Sequence, residues 1–311
     1  MKKIIAALLL LFSVLSYADQ PIEIIVPFSP GGATDMFARA TEQYLTNETG
    51  KSFIVTNRPG ADGRIGARYA SQKPADGSSL VITGTAFMFS KVLYSNPGYE
   101  FTDFDLITPI VRIPMAIIVP YKSNVNNIQD FMKAAETKRL NCGVSNAGGQ
   151  LAMKALMAHA PGNDLEIIPF KGNSDLLNAL VSGTVDCAID TMAAYKTSHI
   201  SKRVKIIAID GNKSYPELGS VSFISERVSP YDFGSWFGVG ILKATPGRIK
   251  EELTGAILKM HADSSFRALM LAANLDIVHR QTTVDESNKF ILIEYEKFES
   301  IRVRNKIPKV E

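Results

Sequence analysis

The stretch IEIIVPFSPGGATDMFARA, residues 22–40, decides the fold. Residues 22–28 form a β-rich apolar run, and beyond the glycines Met36, Phe37, Ala40 and Tyr44 recur at the spacing that lines one helix face. A strand thus enters a tight turn and leaves as a helix. The glycines let backbone N–H groups approach a ligand, and a helix N-terminus presents unpaired donors with a partial positive charge. Pro-Gly-Gly is equally a common turn, and Thr34 and Asp35 suit a helix start as plain caps. By itself the motif leaves both an anion site and a simple turn open.

Outward from it, SFIVTN (52–57) is the next strand, RIGARYASQ the second helix and SSLVIT (78–83) the third strand. This is β-α-β-α-β, half of a doubly wound parallel sheet. The order returns after residue 120: LNCGVS (140–145), a helix over GGQLAMKALMAHA, EIIPF (166–170), a helix over NSDLLNALVSG, and VDCAID (185–190). The expected fold is therefore α/β, with two doubly wound lobes and a cleft between them. If each first strand lies between the second and third, a crevice opens at the strand ends. Its walls are then Ser29–Thr34 and Gly84–Phe87 in one lobe, Ser145–Gln150 and Asp190–Met192 in the other. Both first loops carry a serine, a double glycine and a helix start.

Enzymatic readings of these loops fail on residue type. A Walker A loop needs GK followed by Ser or Thr, whereas Gly31-Gly32 lead into Ala33-Thr34-Asp35, whose carboxylate would repel a polyphosphate. Neither this turn nor Gly238-Val239-Gly240 completes GxGxxG, and no GxSxG, HExxH or cysteine pair at metal spacing occurs. No catalytic residue, cofactor or metal is expected. Of the histidines, His159 and His261 fall on helix-like segments, His199 in a polar loop and His279 near a strand-like run, scattered as surface or packing residues are. Lys171, in PFKG at the end of a strand, is either a cleft cation or, the preferred reading, a solvated loop lysine. Asp190 ends a strand at the crevice and is either a cleft group or a helix cap.

Lys2 and Lys3 precede an apolar run from Ile4 to about Leu15, then Ser16-Tyr17-Ala18. This is the pattern of a signal peptide, residues 1–18, with no cysteine near the cut to carry a lipid. Losing those two lysines takes the formal charge from +3 to +1. Interspersed charge of that size gives no footprint for nucleic acid. Cys142 and Cys187 then sit in an oxidising compartment, each in a strand-like apolar run. They are buried thiols, or a disulfide if those strands are neighbours. Near the C-terminus, TPGRIKEELTGAILKMHA predicts a helix over 247–262 capped by Thr245, with Ile249, Leu253, Ile257 and Met260 as its apolar stripe.

The chain resembles the Bug-type periplasmic substrate-binding receptors of tripartite tricarboxylate transporters. The resemblance is carried by IIVPFSPGGATDMFAR (24–39), VTNRPGADGRIGARYAS (55–71), ADGSSLVIT (75–83), IIPFKGNSDLLNALVSGTVDCAID (167–190) and WFGVGILKATPGRI (236–249). It implies a periplasmic-binding-protein-like, type II Venus-flytrap fold. Lobe 1 would be 19–120 plus 237–311, and lobe 2 would be 121–236 including the crossovers, with the return near Ser229–Trp236. It implies capture of a small organic carboxylate or amino acid, delivery to inner-membrane permease subunits, and a soluble monomer in the periplasm.

Carried over by motif, Phe28, Ser29, Gly31, Gly32 and Asp35, with Thr85 and Ala86, form the first wall of the site. Ser145, Asn146, Gly148, Gly149 and Asp190 form the second. Trp236, at the return crossover, is a core anchor or a reporter of closure. The chain departs from the family pattern twice. In the second-lobe turn Ala147 replaces a glycine and Met153-Lys154 stand near the place of a His-Leu pair, and Asp62 stands where a small residue is usual. The Asp62 loop is expected to support the cleft, not line it. The other functional classes are a solute sensor for a signalling partner and a secreted hydrolase or transferase.

Overall fold

The computed structural model describes residues 20–158, 165–229, 231–273, 275–278, 283–304 and 306–311. The expected signal peptide, His159 and His279 lie outside these residues. In the first lobe β1 (Ile22–Val26), α1 (Ala33–Thr49), β2 (Phe53–Asn57), α2 (Arg64–Ser71), β3 (Ser79–Gly84), α3 (Thr85–Leu93) and β4 (Phe104–Ile113) follow in order. The second lobe holds β5 (Met115–Pro120), α4 (Ile128–Thr137), β6 (Leu140–Val144), α5 (Ala147–Ala158), β7 (Leu165–Pro169) and α6 (Asn173–Ser182). It continues through β8 (Cys187–Thr191), α7 (Met192–Ile200), β9 (Val204–Ile209) and β10 (Ser222–Phe223). The chain then returns with β11 (Ser235–Leu242), α8 (Gly247–Met260), α9 (Ser264–Ala272), β12 (Asp276–Ile277) and α10 (Val284–Arg304).

Two six-stranded sheets result, ordered β12-β4-β11-β3-β1-β2 and β10-β9-β5-β8-β6-β7. In each the first strand of the repeated unit sits between the other two and pairs parallel with both. The loops after β1, β3, β6 and β8 therefore emerge at the strand ends that face the crevice. Cys142 and Cys187 occupy paired positions on β6 and β8, with Cα atoms 4.5 Å apart, and form a disulfide.

Three details differ from the sequence expectation. The passage between sheets falls at Pro114, because β5 pairs with β8 and β9; the boundary expected at residue 120 lies at the far end of β5. Two apolar strands separated by one proline leave no compositional mark of a change of sheet. Helix α1 buries Phe37 and Ala40 and packs Tyr44 partly against the core as expected, with Ala38, Thr41 and Leu45 beside them, while Met36 is exposed. The N-cap of α8 is Pro246, and the Thr245 hydroxyl is buried without capping the helix. The α8 stripe does reach the core through Leu253, Ile257 and Met260.

Each lobe has its own core: Ile24, Val26, Phe37, Leu80, Ile82 and Val239 in the first, Ile118, Leu176, Leu180, Tyr195 and Ile206 in the second. A third cluster joins them through Phe89 of α3, Leu151 and Met153 of α5, Trp236 and Phe298. Trp236 is buried edge-on against Phe290 of α10, with ring centroids 5.3 Å apart.

The hinge is pinned by Asp210, which is buried at the end of β9. Its carboxylate accepts from the N–H of Met115 in one crossover at 2.9 Å and of Phe233 in the other at 2.8 Å. Arg112 of β4 approaches it at 3.3 Å. Burial pushes the Asp210 carboxyl up to about 6 even with Arg112 beside it. Farther out, Asp276 of β12 accepts from Lys213 at 2.5 Å and from the Tyr215 hydroxyl, both in the second lobe. The sheet orders place β11, β4 and β5 between these contacts and the crevice loops, so the two lie on opposite sides of the hinge.

Candidate functional site

The first turn is built so that its backbone stays available. Gly31 has φ of 83°, a conformation costly for any side chain, and Gly32 is the N-cap of α1 with no side chain to cap it. Asp35 is buried behind the turn and does not face the crevice. Its carboxylate accepts from Gly31 N–H at 3.0 Å, Arg39 Nε at 2.9 Å and Asn57 Nδ2 at 2.9 Å. Burial pushes its pKa up, but the hydrogen bonds from Arg39, Gly31 and Asn57 outweigh this and hold it below the usual carboxylate range. Asp35 is thus an ionised brace that fixes the turn to α1 and β2.

The second-lobe turn has its own brace. Asp190, fully buried at the end of β8, accepts from the Ser145 hydroxyl, from Asn173 Nδ2 at 3.0 Å, from Asn146 Nδ2 at 3.3 Å and from Thr191 N–H at 2.7 Å. Burial outweighs these bonds and raises its pKa. Asn146 in turn caps α5, its Oδ1 accepting from Gly149 N–H at 2.8 Å. Close approach explains the double glycine. A Cβ on Gly149 would stand 2.8 Å from the Ile189 carbonyl oxygen, and one on Gly148 would stand 2.7 Å from the Phe89 ring of the opposite lobe.

Between these turns lies a cavity walled by Phe28, Thr34, Thr85, Ala86, Phe89 and Ser90 from one lobe and Asn146, Ala147 and Gly148 from the other. Ser235 and Phe237 of β11 close its back. The Thr85 hydroxyl accepts from Trp236 N–H at 2.9 Å, tying α3 to that strand. The first residues of α1, α3 and α5 all reach the wall, so three helix N-termini from two lobes open on one space. The N-caps of α1 and α3 are Gly32 and Gly84, which offer no side-chain acceptor to the first-turn N–H groups. Those donors are free for a ligand, with the dipoles of both helices behind them. Among the described residues no lysine or arginine lines this cavity.

A second chamber continues from it, sharing Asp62, Tyr94, Asn146 and Ala147 with the first. Ser145, Gln150 and Lys154 line it from the second lobe, and Ile307, Pro308 and Val310 from the C-terminal tail.

Of the residues singled out in the sequence, Phe28, Thr85, Ala86, Asn146 and Gly148 lie on the inner wall and Ser145 on the outer one. Ser29, Gly31 and Gly32 lie on the exposed turn next to it. Asp35, Gly149 and Asp190 stand behind the walls. The expectation that the Asp62 loop only supports the cleft does not hold, since Asp62 lines both chambers. Thr34 lies on the inner wall as the expected Ser29–Thr34 loop implied, whereas Phe89, Ser90, Tyr94, Ser235, Phe237 and Lys154 were missed. Phe89, Ser90 and Tyr94 follow Thr85 on and just beyond α3 at helical spacing, which could have revealed them. Ser235 and Phe237 sit on a strand whose sheet neighbours carry no sequence mark.

Other candidates fall away from the site. Lys171 is an exposed loop residue. His199 lies in the last turn of α7, not in a loop, and its ring ties Ile206 N–H to the helix at 3.0 Å. Among the described residues no group of three His, Cys, Asp or Glu side chains could hold a metal, and no helix is long and apolar enough to cross a membrane.

Two α/β lobes joined at a hinge, with opposed helix N-termini across the crevice, define the class of two-lobed periplasmic binding proteins. The solved structures agree. The R. palustris protein Rpa4515, determined with adipate, is 26% identical and superposes with a TM-score of 0.82 over 95% of this chain and 100% of its own. The periplasmic binding protein BugD is 26% identical, with a TM-score of 0.80 over 94% and 100%.

Sequence relatives include a UPF0065 protein in the tcbD-tcbE intergenic region of a Pseudomonas species, 28% identical over 251 residues, 78% of this chain and 74% of the relative. Protein BugT of Bordetella pertussis is 26% identical over 241 residues, 75% and 74% of the two chains. Residues 37–305 match the model of the tripartite tricarboxylate transporter family receptor, TctC. The chain belongs to that family of solute-binding receptors.

Proposed function

We propose that this chain is an extracytoplasmic solute-binding protein that captures a small organic carboxylate between its lobes and delivers it to the permease of a tripartite tricarboxylate transporter. The observation that carries the reading is the convergence of three helix N-termini on a cavity whose polar lining is hydroxyls, the Asn146 amide and the Asp62 carboxylate, with no lysine or arginine among the described residues. Such a site binds an anion by main-chain donors and dipoles without a fixed positive charge. Rpa4515, of the same fold, was determined with adipate in place. A carboxylate at the inner wall would contact Thr34, Thr85 and Ala86 on one side and Asn146 and Gly148 on the other. Touching both lobes, it favours the closed state by its differential contacts, and the permease reads that state. In this account the protein is exported to the periplasm by residues 1–18, acts as a monomer and catalyses no reaction.

The test is a thermal-shift panel of small carboxylates, neutral solutes and amines on the chain from residue 19. A ligand at 100 times its dissociation constant adds about 2.7 kcal/mol of stability. A shift confined to carboxylates supports the reading. A shift from a neutral or cationic solute, with none from any carboxylate, overturns it, and turnover of a bound solute overturns the purely binding role.

A further inference from the structure

Residues 306–311 lie beyond the long helix α10 and wall the second chamber of the cleft. Ile307, Pro308 and Val310 line it from the side of the first lobe, and Lys154, Pro169 and Phe170 line it from the second. This chamber is continuous with the inner cavity, since Asp62, Tyr94, Asn146 and Ala147 border both. The inner wall is buried at Thr34, Thr85, Phe89 and Ser90, whereas Pro169, Pro308 and Val310 are exposed. The second chamber therefore stands between the inner cavity and solvent.

The segment is fastened to α3, the helix whose first turn forms part of the inner wall. The last carbonyls of a helix have no partner within it. Here Val310 N–H donates to the Leu93 carbonyl at 2.7 Å, and the Lys309 ammonium donates to the Lys91 carbonyl at 3.1 Å. Ser95 N–H donates back to the Val310 carbonyl at 2.9 Å, so Val310 pairs parallel with Tyr94. Nearer α10, Ile307 N–H donates to the Arg302 carbonyl at 3.0 Å, and Arg302 Nη1 donates to the Ile307 carbonyl at 2.8 Å. The Ile307 side chain is buried in the cluster that joins the lobes. A segment with these ties keeps its place, unlike a fraying end.

The ties meet the cleft at Tyr94. Its main chain pairs with Val310, its hydroxyl donates to Asp62 Oδ2 at 3.1 Å, and its ring lies under the Arg64 guanidinium, with Cζ 3.6 Å from the centroid. Because Tyr94 borders both chambers, the segment fixes the residue that stands where one opens into the other.

We propose that residues 306–311 are a fixed lip on the solute path, with Pro308 and Val310 narrowing the passage opposite Phe170 and setting how fast a solute enters and leaves. A wall on the path changes the barrier to entry and to exit alike, and it leaves affinity nearly unchanged. This rests on the cleft being the solute site and adds kinetic control to it, whichever solute binds.

Thiol labelling measures the passage without a ligand. Both cysteines of the chain are bridged, so Ala86→Cys places a single thiol on the inner wall. The reagent is 2-sulfonatoethyl methanethiosulfonate, applied to the chain from residue 19. Removing residues 306–311 should speed labelling about tenfold and Val310→Ala about threefold, while Val310→Trp should slow it about threefold. Both changes at Val310 keep the main-chain bonds that pin the segment. A thiol at Ala256→Cys, buried on α8 and outside both chambers, should stay unlabelled throughout. If the shortened chain labels that thiol too, its fold has loosened, and the opposed effects of Val310→Ala and Val310→Trp then decide. Equal rates in every variant overturn the proposal, as do Val310→Ala and Val310→Trp shifting the rate in the same direction. Labelling that follows the lip in a protein that binds no carboxylate upholds the lip and overturns only the solute class.

Discussion

Replacing Asp190 by alanine should disable the second-lobe wall and cost stability in a measurable way. Its carboxylate is fully buried and gathers four donors from Ser145, Asn146, Asn173 and Thr191. Asn146 and Asn173 are exposed and can turn their amides to water. Thr191 N–H and the Ser145 hydroxyl cannot do so as freely, and each stranded buried donor costs about 1–3 kcal/mol. Against this stands relief of the charge burial that raises the Asp190 pKa. The net loss expected is about 3 kcal/mol, or roughly 6–10 °C in melting temperature by calorimetry. Since Asn146 caps α5 only while Asp190 holds it, the Ser145–Gly149 turn loosens and affinity for the best acid falls at least about tenfold. Asp190→Asn, keeping one acceptor for Thr191, should recover most of the stability. An alanine variant that loses less than about 1 kcal/mol and binds as before would refute Asp190 as the brace of the turn.

Three further predictions follow from the hinge and the sheet. Asp210 has its carboxyl pushed up to about 6 by burial, against an unfolded value near 3.8, so its contribution is fully present below about pH 4 and is lost as pH rises through 6. Asp210→Asn should flatten the stability curve between pH 4 and 7 by up to about 3 kcal/mol, and an unchanged slope would discount it. Reducing the Cys142–Cys187 bridge, whose ends are 45 residues apart, should cost about 4 kcal/mol by loop entropy, read as a lower denaturant midpoint that the double serine variant reproduces. Asp276→Asn cuts the contacts from Lys213 and Tyr215 on the side of the hinge away from the cleft, contacts that closure would pull apart. Ligand should bind roughly three- to tenfold more tightly, and unchanged or weaker binding would show that those contacts do not oppose closure.

The repeated unit was legible because each strand, turn and helix announces itself locally: Ile22–Val26 by its β-branched run, Gly31-Gly32 by the turn, and Met36, Phe37, Ala40 and Tyr44 by their spacing. The central place of the first strand in each sheet followed from the same order, and Thr85, Ala86, Asn146 and Gly148 reached the cavity wall as the loop positions implied. What was hidden depends on long-range pairing. The change of sheet at Pro114, the pinning of both crossovers by Asp210 and the reach of Ser235 and Phe237 into the cavity join residues far apart in the chain. Asp62 was misplaced although it lines both chambers, because Ala61 before it also takes the left-handed region, which an alanine does not signal. Asp35 shows a subtler limit. Its position beside the turn was readable, but its use as a brace rests on Asn57 and Arg39 meeting it from two other directions.

The most direct test of the central claim is a crystal structure of the chain from residue 19 with its tightest-binding acid. The account predicts one carboxylate seated at the first turns of α1, α3 and α5, held by main-chain N–H groups and by Thr34, Thr85 or Asn146. A ligand bound away from these helix N-termini, or an acid held there only by a lysine or arginine side chain, would contradict it.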